Sequence, residues 1–166
     1  MQHVLVMGVC GTGKSSVASR LAARLGAHFI EADSYHATSA VDRMRRGQPL
    51  TDADRWSWLD RIAEAARRAD NDTVIACSAL KRSYRARLER DLAGLRIVHL
   101  AGTRALVAER MAGRADHFMP ASLIDSQFEA LEAPEGPAVL TLDIARPVEE
   151  IVDAAEAFAT RARREA

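Results

Sequence analysis

The sequence predicts an α/β domain built on a five-stranded parallel sheet with helices on both faces. Two observations lead there. Short apolar runs alternate with stretches of helical period along the whole chain, and the first run passes through a glycine-rich turn directly into a helix. The 166 residues, 48% hydrophobic and 28% charged, fit one domain spanning 1–166 with a sizeable core.

His3 to Met7 is an apolar run stopped by Gly8, and it reads as the first strand. From Lys14 to Leu25 the apolar Val17, Leu21 and Leu25 recur every four residues, the mark of an amphipathic helix, and Gly26 ends it. Residues 29–30 form a brief second strand, and a helix over 40–46 is broken by Pro49. Leu59, Ile62, Ala63 and Ala66 make the inward face of the next helix. Residues 73–76 are the third strand. Lys81, Arg82 and Arg85 behind it read as the exposed start of a helix. Residues 97–100 are the fourth strand, and Thr103 caps a helix carrying Val107 and Met111. Residues 113–119 are polar and irregular. Leu123, Phe128 and Leu131 mark another helix, closed by Pro134-Glu135-Gly136-Pro137. Residues 138–142 are the fifth strand, and Pro147 starts a last helix with Val148, Ile151, Val152, Ala155 and Ala162 inward.

Composition narrows the function. Lys plus Arg and Asp plus Glu both number 23, so the net charge is zero and the basic excess of a nucleic-acid binder is absent. Cys10 and Cys77 have no CxxC spacing, which fits a reducing cytoplasm without a disulfide framework. No stretch approaches the about 18 apolar residues of a membrane span. The opening MQHVLVMG is too short for a signal peptide and runs into structure. No two histidines have metal-ligand spacing, so zinc is not expected.

Ligands of parallel sheets bind beyond the carboxyl ends of the strands. Residues just after Met7, Ile30, Ala76 and Leu100 should therefore converge on one cleft, with Ser78 and Lys81 facing it. The stretch Gly8-Val9-Cys10-Gly11-Thr12-Gly13-Lys14-Ser15 matches G-x-x-x-x-G-K-[ST] between a strand and a helix. Gly8, Gly11, Thr12, Gly13, Lys14, Ser15 and Ser16 form the expected nucleotide-binding set. The glycines let backbone N–H groups ring a phosphate, Lys14 reaches the β- and γ-phosphates of ATP, and Ser15 ligates Mg²⁺. A glycine-rich turn without a ligand is the plain alternative, and the lysine, the serine and the context argue against it.

Phosphoryl transfer needs an oriented acceptor and added positive charge. Asp33, after the second strand, can accept a hydroxyl proton and orient the oxygen, or it can serve as a helix N-cap. The neighbouring phosphate loop favours catalysis. Glu31 reads as a supporting residue. His36 either binds a polyhydroxy substrate or caps local structure. Arg43, Arg45, Arg46 and Arg55 are candidates for an anionic group, with Arg45 and Arg46 better read as a solvated face. Arg110 and Arg114 lie four apart, a spacing that puts both on one face of a helix. A mobile arginine segment there could close over the phosphates and exclude water.

The stretches GVCGTGKSS, EADSYH, MRRGQPLTDADRWSWL, CSALKRSYR, HFMP and SQFEALE together resemble the small gluconokinases of thermoresistant type, over nearly the whole chain. The resemblance implies the P-loop kinase fold, with a short mobile lid over about 110–120 and a substrate-binding helical region over about 36–60. It implies ATP-dependent, Mg²⁺-assisted phosphorylation of D-gluconate to 6-phospho-D-gluconate, with Asp33 facing the hydroxyl, and it suggests a dimer. His36, Arg55, Ser78, Lys81, His117 and Gln127 fall on positions that border the sugar-acid pocket. Two departures stand out. The family's His-Pro-x-x-Asn reads His36-Ala37-Thr38-Ser39-Ala40 here, and the glycine before its His-Phe pair is Asp116. A lost amide removes one hydrogen bond and points to a kinase for a related sugar acid as the alternative. A shikimate kinase would need a glycine triplet where this chain has CSAL, and a non-catalytic nucleotide-binding regulator would be marked by loss of Asp33 or of the arginine pair.

Overall fold

The computed structural model describes residues 1–114 and 121–165. The elements run β1 (His3–Met7), α1 (Lys14–Leu25), β2 (His28–Glu31), a 3₁₀ turn (Ala32–Tyr35), α2 (Thr38–Arg45) and α3 (Asp52–Arg68). Then come β3 (Thr73–Ala76), α4 (Arg82–Asp91), β4 (Arg96–Ala101), α5 (Arg104–Ala112), α6 (Ala121–Ala130), β5 (Val139–Asp143) and α7 (Val148–Glu165). The strands form one parallel sheet in the order β2-β3-β1-β4-β5. The order reverses at β1, so the turn after β1 lies at the switch point where such sheets bind ligands.

Strand alternation divides the core. Val4, Val6, Val74, Ala76, Val98 and Leu100 face one way and pack with Val17 and Leu21 of α1 and Ile151 and Val152 of α7. Leu5, Met7, Ile75, Cys77 and Ile97 face the other way and pack with Leu59 and Ile62 of α3 and Leu88 of α4. The expected five-stranded sheet with helices on both faces is thus what the chain forms. No helix among the described residues is long and apolar enough to cross a membrane.

The element ends follow local chemistry. Gly26 closes α1 with φ 62°, in the left-handed region. Thr51 accepts from Asp54 N and Asp54 accepts from Thr51 N, a capping box that starts α3 ahead of both tryptophans. Thr103 Oγ1 accepts from Leu106 N and starts α5, as expected. The 3₁₀ turn carries no periodic signal and was not foreseen.

Two buried strand histidines set an acid limit on stability. His3 is 7% exposed and His99 4%. Burial pushes both imidazoles below their ordinary value, helped by the N-terminal amine at His3 and by Arg85 at His99. As pH falls below about 6.5, the unfolded chain binds protons before the folded one does. Their contribution is therefore complete above that value and lost as pH falls through the folded values. The melting temperature is expected to drop between pH 7 and pH 5. The His99→Gln variant, which cannot titrate, should show a shallower drop in the same scan.

Candidate active site

The turn after β1 is built for a phosphate. Gly8 has φ 154°, and a Cβ there would lie 2.6 Å from Leu100 O and 2.9 Å from Thr12 Oγ1, so only glycine lets the loop pass β4 this closely. Thr12 is buried and its Oγ1 donates to Val9 O at 2.8 Å, while Lys14 Nζ donates to the same oxygen at 2.9 Å. Gly13 is the N-cap of α1 and supplies no side-chain cap, which leaves the first-turn N–H groups for an anion. Desolvation pushes the Lys14 ammonium below its ordinary value, and the Cys77 and Cys10 sulfurs and the Asp33 and Glu31 carboxylates act the other way.

A cleft of about 520 Å³ opens at this turn. It brings together Gly11, Gly13, Lys14, Ser15 and Ser16 with Asp33, Ser78, Arg114 and Gln127 from four other stretches of chain. Ser15 Oγ donates to the Glu31 carboxylate, which gives Glu31 a definite task beside the loop. The Asp33 side chain is 86% exposed on the 3₁₀ turn. That turn is pinned at both ends by α3, through Trp58 Nε1 to Ala32 O and Arg61 Nε to Tyr35 O, both 2.7 Å. The N-caps of the turn and of α2 are Glu31 and Ala37, so Asp33 caps neither.

A second cavity of about 330 Å³ carries Arg55, Lys81, Trp58 and Tyr84, and Ser78 and Gln127 line it as well. Those two side chains form a wall common to both spaces. Arg55 Nη1 donates to Tyr84 Oη at 2.9 Å, and Lys81 Nζ lies 5.7 Å from the centre of the same ring. Gln127 Oε1 accepts from Cys10 N of the phosphate loop at 2.7 Å. His36 lines neither space. Its ring stacks on Trp58 at 4.4 Å and its Nε2 lies 3.9 Å from Asp33 Oδ1, so it stands behind the carboxylate. Of the other arginines, Arg43 pairs with Asp54 at 3.2 Å, and Arg45 and Arg46 are exposed.

The arginine pair is arranged differently from its spacing. Gly113 ends α5 at Ala112, so Arg114 leaves the helix and lines the cleft, whereas Arg110 Nη2 donates to Ile144 O at 2.6 Å beside β5. Residues 115–120, and with them His117 and most of the expected lid, lie outside the described residues.

Arg85 corrects the sequence reading outright. It is 4% exposed, and its guanidinium donates to Ala79 O (2.9 Å), Leu80 O (3.0 Å) and Glu132 O (2.7 Å). The spacing to buried Leu88 and Leu92 places residue 85 on the inward stripe of α4, a signal that its charge concealed. Met111, expected only as a core residue, also borders the cleft.

Comparison with known proteins agrees with this geometry. A family model described as an AAA domain matches residues 4–134. A gluconokinase of Gluconobacter oxydans is 48% identical over 137 residues, covering 80% of this chain and 76% of that protein. The thermoresistant gluconokinase of Escherichia coli K12 is 37% identical over 156 residues, covering 90% and 89%. The crystal structure of a gluconokinase from Sinorhizobium meliloti superposes with a TM-score of 0.89 at 43% identity, covering 99% of this chain and 94% of that one. A phosphate loop at the switch point, an open carboxylate across the cleft and relatives of this closeness lead to one assignment: the chain is a P-loop kinase and belongs to the gluconokinase family.

Proposed function

We propose that the protein transfers the γ-phosphoryl group of ATP to D-gluconate, giving 6-phospho-D-gluconate. The observation that carries this reading is the wall of Ser78 and Gln127 common to both spaces. A sugar acid whose carboxylate lies with Arg55 and Lys81 can pass its far hydroxyl along that wall to Asp33 and the phosphate loop. A polyol chain also suits the hydroxyls and amide found there.

In this reading the acceptor oxygen bonds to the γ-phosphorus as the bond to the β-phosphate oxygen breaks, and the hydroxyl proton passes to the Asp33 carboxylate. Lys14 and the N-terminal N–H groups of α1 hold the phosphates, and Arg114, which lines the same cleft, adds charge. Arg110 reaches this role only by leaving Ile144 O. The Ser15 hydroxyl and the Glu31 carboxylate, with Asp33 on the same cleft, form a hard-oxygen set that suits Mg²⁺. Among the described residues no three carboxylate, imidazole or thiol groups gather as a metal site. When bound, the ion neutralises charge on the phosphates.

The test is ADP release with Mg·ATP in the presence of gluconate, other aldonates, shikimate, AMP or no acceptor. Gluconate is expected to turn over at about 1–100 per second. Turnover confined to another aldonate would trace to the Ala37, Ala40 and Asp116 departures. ATP binding with no acceptor-stimulated release would instead identify a regulator.

A further inference from the structure

Ala79 is the one non-glycine with positive φ among the described residues, at 39°. An L-residue disfavours this region because its Cβ crowds the backbone, and such backbone persists only where the surroundings impose it. Ala79 is 1% exposed and stands between Ser78 and Leu80, which both face the second cavity, two residues before Lys81.

What imposes the conformation is visible. Arg85 Nη1 bonds the carbonyls of Ala79 and Leu80, and Nη2 bonds that of Glu132, just after α6. Glu132 N donates back to Leu80 O at 2.9 Å, and its carboxylate accepts from Arg82 N at 2.9 Å. A buried guanidinium spent on carbonyl oxygens is a poor means of packing, since an apolar side chain would fill the space without the cost of desolvation. Its planar fork can, however, fix several carbonyls at once, which an apolar group cannot do.

We propose that Arg85 is a positioning residue for the acceptor: by gripping three carbonyls it holds Ala79 in the left-handed backbone and so sets where Ser78 and Lys81 meet the sugar acid. This rests on the proposed acceptor reading. Wild-type turnover with gluconate tests that reading by itself, and the positioning role is judged only on ratios between variants and wild type, measured with whichever aldonate the wild type turns over.

The experiment compares Arg85→Gln, Ala79→Gly and the double variant, varying acceptor and ATP separately. Arg85→Gln is expected to raise the acceptor KM by about tenfold or more while the ATP KM stays within about twofold. Glycine adopts the left-handed backbone without a Cβ. Ala79→Gly in the Arg85→Gln background should therefore recover much of the lost acceptor KM, and alone it should change little. A purely structural role would move both KM values alike, or lower the melting temperature with no selective change in acceptor KM, and would give no recovery with glycine; any of these results overturns the proposal. Arg85→Lys, which keeps the charge but lacks the planar fork that spans all three carbonyls, is run in both backgrounds, and the same selective rise in acceptor KM with recovery by glycine decides the question if the Gln variant does not fold.

Discussion

Asp33→Asn is expected to lower kcat with gluconate by about 10²–10⁴-fold, the range lost with a general base. In the proposed reading the affinity for ATP should hold, because the phosphates meet the loop and α1, and Ser15 and Glu31 still face the ion once Asp33 is gone. The change is also clean. The carboxylate is 86% exposed, and the turn is pinned through the carbonyls of Ala32 and Tyr35, not through residue 33. Stability should therefore stay within about 0.5 kcal/mol of wild type. Asparagine keeps the shape and a hydrogen-bonding oxygen, so the hydroxyl can still be oriented but its proton has nowhere to go. Steady-state kinetics beside calorimetric ATP titration checks both halves. Activity within about fivefold of wild type would remove Asp33 from proton transfer and leave it, at most, an orienting role.

Lys14→Met is expected to cost at least about 10²–10³ in kcat, the effect of removing one preorganised donor from developing charge, and to weaken ATP binding as well. Stability should move the opposite way. Lys14 loses hydration in the cleft floor and spends its resting bond on Val9 O, an oxygen that Thr12 Oγ1 also satisfies at 2.8 Å. Methionine relieves that desolvation without orphaning the acceptor. Urea unfolding of the ligand-free variant should show a midpoint no lower than wild type. Such a divergence between stability and activity would mark a residue kept for chemistry at some cost to the fold.

The parts that sequence made legible are those written in local patterns. Short apolar runs and helical period located the sheet and its helices, with ends displaced by a few residues. The phosphate loop was readable because its motif is local, lying between a strand and a helix, and the placing of Asp33 on the same cleft followed from its position just after β2. What stayed hidden depends on distant partners. Nothing near His36 announces that Trp58 will stack on it, and nothing near Arg110 announces a bond to Ile144 O. Arg85 shows the same limit from another side: its period placed it inward, its charge suggested outward, and only the carbonyls of Ala79, Leu80 and Glu132 settle the conflict. The value of Gln127 as a link between α6 and the phosphate loop likewise appears only when Cys10 N is seen bonded to it.

The wall of Ser78 and Gln127 also bears on redesign. Under the proposed function, any substitution there that reshapes the fit of a sugar also alters the surroundings of the phosphoryl group, because Ser78 and Gln127 line both spaces. Choice of sugar and speed of reaction are therefore not separable variables at these two positions. An engineer seeking a kinase for another aldonate should begin with Arg55, Lys81 and Tyr84, which line the second cavity and not the phosphate-loop cleft, so that in the same reading a change of charge or length there reaches the sugar and leaves the phosphates alone.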